Sequence, residues 1–307
     1  MVGEEPRERD AEMAETILVT GATGKVGERL VPRLLSWREP GDEIRVLVRT
    51  AEAAARFEAA GARAVVGDLT DEAGRKRALG GVTVVVNSAA TFRGAGVTAD
   101  EMYAVNRDAA VALARESVDA GARRFVQIST NLVYGPGVGR PAREDDELRA
   151  APGDAYSAYP HSKLEAEGRL RALSVESGLD AVTLRLAFVY GDGDPHIEES
   201  LPRFASRPAH ALLPMVHHAD VAQGVERAIR VPRRDGGFAA YNIAGDGAST
   251  MFELCELVGR GFDLAAAEGK DAGDAWFGVT DTTRAYRDLG FRPIYPTARA
   301  AWRDGAL

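Results

Sequence analysis

An α/β fold built on a doubly wound parallel sheet is predicted by three observations. Short runs of consecutive apolar and β-branched residues recur, among them "TILVT", "VTVVVNSAA" and "RRFVQIST". Stretches with helical periodicity, such as "AEAAARFEAAG", separate them. The first run ends in a glycine-rich turn, "GATGKVG", that opens a helix. Continuous apolar strands alternating with helices belong to sheets covered on both faces. The right-handed crossover rule makes such a succession doubly wound.

Taken in order, "TILVT" is the first strand and "ERLVPRLLS" its helix, followed by the strand "EIRVLVRT". The helix "AEAAARFEAAG" ends at Gly61, "ARAVVGDLT" is strand and turn, and "DEAGRKRALGG" is helix. After the buried strand "VTVVVNSAA", "ADEMYAVNRDAAVALARESVDAG" reads as one long helix closing at Gly121. "RRFVQIST" is the next strand, a helix carries Tyr159, and "AVTLRLAFVYG" reads as one further strand. Beyond Gly191, "DGDPHIEESLPRFASRPAHALLP" shows no clear strand. "VHHADVAQGVERAIR" returns to strand and helix with Asp220 at the N-cap, and "GFAAYNIAG" is a last strand. This organisation predicts a nucleotide-binding sheet domain over 16–190 and 216–245. A small C-terminal substrate lobe is expected from 191–215 and 246–307, and a disordered lead-in over 1–15.

Composition narrows the function classes. A chain of 307 residues with 45% hydrophobic and 27% charged residues is an ordinary globular protein. A net charge of −8 argues against nucleic acid or an anionic membrane as partner. No apolar run reaches membrane-spanning length, and the charged N-terminus lacks a secretory core, so a cytoplasmic location is expected. The single Cys255 lies in the apolar pattern "MFELCELVG" and reads as a packed helix position. His217 and His218 invite a metal reading, but adjacent side chains point apart and no Cys or carboxylate cluster supports them, so no metal is expected.

In "ILVTGATGKVGERL", Gly21, Gly24 and Gly27 follow a strand and open a helix, the context in which a glycine pattern reads as a phosphate-binding turn. Gly21 permits the turn, Gly24 lets backbone approach a pyrophosphate, and Gly27 allows close helix–sheet packing. The helix N-terminus contributes free N–H groups and partial positive charge. The second strand ends in Arg49, where an acidic residue would favour NAD. A guanidinium suits the 2′-phosphate of NADP, so NADP is preferred over NAD. Lys25 adds charge or faces solvent, and Asp68 and Leu69 either flank an adenine or form a plain turn.

The chain has 38 basic residues but only four lysines, and Lys163 stands four residues after Tyr159 in "YPHSK". On a helix the two share a face. Alone, the pair reads equally as a surface contact or as chemistry.

Eight ordered motifs, "TGATGKVG", "GDLTD", "NSAA", "YAVN", "ISTNLVYG", "YPHSK", "LRLAFVYG" and "HHADVA", resemble the extended short-chain dehydrogenase/reductase family, also described as NAD-dependent epimerases/dehydratases. The resemblance covers about Thr16 to Gly245 and implies a Rossmann fold. It implies a catalytic set of Tyr159 as acid/base, Lys163, and Thr130 in preference to its neighbour Ser129. A phenol with an ordinary pKa of about 10 is a poor base at neutral pH, and a nearby ammonium brings proton exchange within reach. A lysine also reaches ribose hydroxyls, which an arginine fork serves less well. The implied cofactor contacts are Gly21, Thr23, Gly24, Lys25, Val26, Gly27, Arg49, Asp68, Leu69, Ala89, Asn106 and Lys163. Asn106 reads equally as a packing residue, and His161 as a solvent-facing one. The implied substrate contacts are Thr130, Asn131, Tyr134 and Phe188.

Departures from the family pattern bear on the reaction. Sugar dehydratases carry an Asp-Glu pair after the catalytic Thr, and Asn131 and Leu132 stand there instead. Epimerases commonly place an Asn where Phe188 stands, which implies a more apolar pocket. Arg203 and Arg207 keep a diphosphate contact open. The expectation is an NADP(H)-dependent reductase of a ketone or aldehyde on a small, partly apolar molecule. The alternatives are a nucleotide-sugar epimerase using bound NAD and a non-catalytic NADP-sensing protein. The helices over 101–120 and 156–176 are the candidate surface for a homodimer.

Overall fold

In a computed structural model, the described residues are 14–307 except 93, 95, 154, 205, 206, 233–236 and 272. Residues 1–13 of the expected lead-in therefore lie outside them, whereas Glu15 is held by the guanidinium of Arg123. The first half alternates strand and helix: β1 (Thr16–Thr20), α1 (Lys25–Trp37), β2 (Glu43–Val48), α2 (Ala51–Ala59), β3 (Arg63–Val66), α3 (Glu72–Leu79) and β4 (Val84–Asn87). Then follow α4 (Ala99–Tyr103), α5 (Ala110–Asp119), β5 (Arg124–Thr130), a 3₁₀ turn Asn131–Tyr134, α6 (Ala155–Ser177) and β6 (Asp180–Leu186). The remainder comprises β7 (Phe188–Tyr190), α7 (His196–Phe204), β8 (Leu212–Leu213), β9 (Met215–His217), α8 (His218–Arg230), β10 (Phe238–Ile243) and β11 (Ser249–Thr250). Short helices α9 (Met251–Leu257), α10 (Leu264–Ala267), α11 (Thr283–Asp288) and α12 (Ala298–Arg303) end the chain.

The main sheet has seven strands in the order β10-β6-β5-β4-β1-β2-β3. Every neighbouring pair is parallel, with Val19 of β1 opposite Val46 of β2 and Val86 of β4. Alternation along β1 sorts its side chains to two cores. Ile17 and Val19 pack with Leu30, Val31 and Leu34 of α1 and Val221 and Val225 of α8. Leu18 packs with Leu113 and Ala114 of α5 and Leu170 of α6. Strands buried on both faces explain the unbroken apolar runs. Strand order reverses between β1 and β4, and a crevice opens there at the carboxyl ends.

Four elements differ from the sequence reading. "AVTLRLAFVYG" forms two strands: the chain leaves the main sheet at Ala187, and Phe188–Tyr190 pairs with Met215–His217 instead. The long helix predicted from Ala99 passes through a π segment, Ala104–Ala109. The stretch after Gly191 contains helix α7 and strand β8, and β8 pairs antiparallel with β11. Finally, His217 rather than Asp220 caps α8, accepting from Ala219 N at 3.1 Å. Asp220 lies in the first turn and accepts from the backbone of Ile294 and Tyr295, tying the C-terminal segment to α8.

A third core beneath this segment joins Tyr190, Ile197, Leu201, Met215, Met251, Leu254 and Ala301, drawn from 188–215 and the C-terminal helices. Cys255 is buried in it. Among the described residues, no helix is long and apolar enough to cross a membrane, and no group of three metal-ligating side chains occurs.

A buried ion pair braces the sheet. Arg124 at the start of β5 donates to Asp180 at the start of β6, with Nε at 3.0 Å, and to the carbonyls of Ala228 and Ile229. Both side chains are almost wholly buried. Removing one partner strands the other charge, so Asp180→Ala should lower the unfolding free energy in urea by about 3–5 kcal/mol.

Candidate active site

A cleft of about 1540 Å³ follows the carboxyl ends of the strands and runs on beneath the C-terminal segment. One end is formed by the turn after β1. Gly21 adopts φ +69°, and a Cβ at Gly27 would lie 2.1 Å from the Gly21 carbonyl oxygen, so the turn can close onto α1 only with glycine at both positions. Thr23, Gly24, Lys25 and Val26 complete this wall, with Arg49, Asp68, Leu69 and Ala89 further along it. Asp68 accepts from the backbone and hydroxyl of Thr70 at 2.8 and 2.7 Å. These bonds, with a smaller contribution from Arg49, hold its carboxyl below the usual range. The hydroxyl of Ser88, on the same wall, is buried and has no partner among the described residues. A glycine cradle at a helix N-terminus, an unsatisfied hydroxyl and a cation at the end of β2 fit a dinucleotide.

Lys25 does more than face solvent. Its ammonium meets Asp194 at 3.2 Å and Glu199 at 2.5 Å, bridging the glycine turn to α7. Asp194 also accepts from His218 Nε2 at 2.9 Å. Burial raises its carboxyl, but the His218 hydrogen bond and the Lys25 charge outweigh this and hold it near 2. His217 turns the other way, its Nε2 on the Ala306 carbonyl.

The other end holds Thr130, Tyr159 and Lys163, brought together because β5 ends where α6 crosses it. Tyr159 stands edge-on to Phe92 with ring centroids 4.7 Å apart. Lys163 is 2% exposed, and its Nζ donates to the Ile128 carbonyl at 3.1 Å. Burial lowers its pKa to about 8, against the opposing charge of Glu167. The ammonium is therefore charged at neutral pH, yet close to releasing its proton. Ser129 and Thr130 both line the cleft; the hydroxyl of Ser129 is committed to Glu167 at 2.5 Å, whereas that of Thr130 accepts from Leu132 N at a longer 3.3 Å.

Asn131 and Phe188 line the cleft, and the Asn131 amide donates to the Gly278 carbonyl at 2.7 Å. Two of the expected contact residues do not face the cleft. Tyr134 is 1% exposed and points inward, because Arg185 donates to its hydroxyl at 2.8 Å and that hydroxyl donates to Asn242 at 2.7 Å. Asn106 is wholly buried in the π segment, where its amide accepts from Thr91 N at 2.8 Å and donates to Thr91 O and Ser162 Oγ. It braces the wall instead of forming it. His161 bonds Tyr103. The sequence reading did not single out Ser88, Phe92, Asp194 or His196 as lining residues. Ser88 lies in the strand run "VTVVVNSAA" and His196 begins α7, whereas Phe92 and Asp194 lie in irregular segments.

A doubly wound sheet with a phosphate-binding glycine turn and a Thr–Tyr–Lys set defines an extended short-chain dehydrogenase/reductase. The chain belongs to the NAD dependent epimerase/dehydratase family, whose profile matches residues 17–244. It is 35% identical over 207 residues to a UDP-glucose 4-epimerase of Vibrio cholerae, covering 64% of this chain and 59% of that protein. It is 31% identical over 176 residues to a farnesyl-dihydroquinoline-oxide ketoreductase of Stigmatella aurantiaca, covering 57% of this chain and 51% of that one. The chain thus spans little more than half the length of these relatives. A solved dTDP-glucose 4,6-dehydratase of Streptomyces venezuelae with NAD bound superposes with a TM-score of 0.74 at 27% identity, covering 94% and 95% of the two chains.

An ammonium whose folded pKa, about 8, lies below the ordinary 10.5 burdens the fold. That burden is fully present below pH 8 and is relieved as pH rises toward 10.5, where the folded state binds fewer protons than the unfolded chain. Lys163→Met should therefore gain about 1–3 kcal/mol of stability at pH 7. Unfolding curves at several pH values should show the gain shrinking between pH 8 and 10.5.

Proposed function

We propose that this protein is an NADP(H)-dependent oxidoreductase that reduces a ketone or aldehyde of a small, partly apolar molecule. The observation that carries the cofactor preference is Arg49, exposed on the cleft wall at the end of β2 beside Asp68, where a 2′-phosphate can be met bidentately. The dinucleotide would supply the hydride from nicotinamide C4. Tyr159 then gives its phenolic proton to the carbonyl oxygen as charge develops there. Thr130 holds that oxygen from the opposite side, and Lys163 keeps a positive charge beneath the phenol and meets ribose hydroxyls with its remaining N–H groups.

Asn131 and Leu132 support reduction over dehydration. Elimination of water needs an acid and a base beside Thr130; an amide bound to the Gly278 carbonyl and an aliphatic side chain offer neither. Phe92, Phe188, Leu213, Pro214 and Phe277 give the substrate end an apolar lining. The ketoreductase relative adds support for this reading.

A second reading, a nucleotide-sugar epimerase using NAD, is favoured by Arg203 and Arg207 on the same wall. Burial pushes the Arg207 guanidinium down, opposed by Tyr156 and reinforced by the neighbouring Arg203, an arrangement that an anionic group would relieve. The epimerase relative points the same way.

Purified protein assayed for NADPH and NADH oxidation against a panel of ketones separates the readings. Reduction predicts that Tyr159→Phe lowers kcat by about 10²–10⁴-fold. Arg49→Ala should raise KM for NADPH about tenfold or more and leave NADH little affected. Copurifying NAD with no net oxidation of either cofactor would favour the epimerase.

A further inference from the structure

His196 opens α7 and stands on the wall of the cleft that also holds Tyr159. Its ring lies flat on Phe188, with centroids 4.1 Å apart and planes inclined by 21°, and edge-on to Phe92 at 6.3 Å. Phe92 in turn touches Tyr159. The imidazole is thus the polar member of an aromatic wall beside the acid/base residue.

Its chemistry follows from one hydrogen bond. Nδ1 lies 3.0 Å from the Val189 carbonyl oxygen, and a carbonyl can only accept, so Nδ1 carries the proton. In the neutral ring the other nitrogen, Nε2, is then a bare acceptor, and it has no partner among the described residues. Burial pushes the ring's pKa down, which keeps it neutral at pH 7. The charged groups nearby divide in sign: Asp194 and Glu199 favour the proton and Lys25 opposes it. Stacking on Phe188 and the bond to Val189 together fix the ring plane, so the acceptor is held in place before anything binds.

We propose that His196 is a specificity residue whose Nε2 accepts a hydrogen bond from a substrate hydroxyl, so that the substrate is a hydroxylated carbonyl compound rather than a plain ketone. The inference rests on the reading of the cleft as a carbonyl-reducing site and narrows its substrate class. An acceptor held against Phe188 and Phe92 discriminates, since a ligand without a donor leaves it unpaired. Free hydroxy-ketones and hydroxylated groups of a larger conjugate share this chemistry.

The test compares acetoin with 2-butanone, which differ by one hydroxyl, in NADPH oxidation by the full chain. The wild type should favour acetoin in kcat/KM by about tenfold or more. In His196→Phe the ratio should fall to about one, with the larger loss on acetoin, and His196→Gln, which retains an acceptor, should recover part of the preference. An unchanged ratio in His196→Phe, or equal losses on both ketones, would overturn the proposal. A second measurement is independent of turnover: ¹⁵N NMR of histidine-labelled protein. It should show Nε2 unprotonated and shifting on addition of acetoin but not 2-butanone. If Nε2 carries the proton, or is indifferent to acetoin, the proposal fails. If Nε2 responds while neither ketone is reduced, the hydroxyl contact stands and the carbonyl-reduction reading falls.

Discussion

Glu167 carries a carboxylate into the interior of the protein, and the floor of the cleft depends on how that charge is met. Arg185 donates to it from β6 through Nε at 3.1 Å and Nη2 at 2.8 Å, and Ser129 donates from the end of β5. Arg185 continues to Tyr134, Tyr134 to Asn242 of β10, and the Asn242 backbone N–H to Glu144. Three neighbouring strands, the helix carrying Tyr159 and Lys163, and the loop after β5 are thus cross-linked by one chain of bonds. A buried charge is tolerated only where its partners are correctly placed. The same condition fixes where β5 ends relative to α6, hence how far Thr130 stands from Tyr159.

The arrangement also disposes of two hydroxyls. Ser129 spends its proton on Glu167 and Tyr134 on Asn242, which leaves Thr130 as the strand-end hydroxyl not tied to this network. Lys163, one helical turn before Glu167, feels the carboxylate's field while lying in a desolvated position. Its ammonium is consequently poised between a surface lysine and a neutral amine.

What was legible in the sequence was local. The glycine turn, the Tyr159–Lys163 spacing and the apolar strands each depend on residues a few positions apart, and each appears where the pattern places it. What was not legible depends on distant partners. Nothing between Asp180 and Tyr190 announces a break, because the switch at Ala187 is decided by pairing with Met215–His217, well over twenty residues on. The π segment likewise coincides with a distant contact: within it, Asn106 bonds both backbone groups of Thr91, fifteen residues away. The resemblance implies Tyr134 as a substrate contact, and only Arg185 and Asn242, from two other strands, turn it inward.

The bridge from Lys25 to Asp194 and Glu199 changes what the glycine turn can offer an anion. The lysine in a turn of this kind would ordinarily be counted as a phosphate counter-charge, yet here two carboxylates already neutralise it. An anion at this turn would be met by oriented backbone N–H groups and the helix dipole, which are fixed partial charges with no mobile ion atmosphere to displace. It follows that cofactor capture at this end of the cleft is less sensitive to ionic strength than capture by a free lysine. Further along the same wall, the exposed Arg49 is the cation through which salt would act.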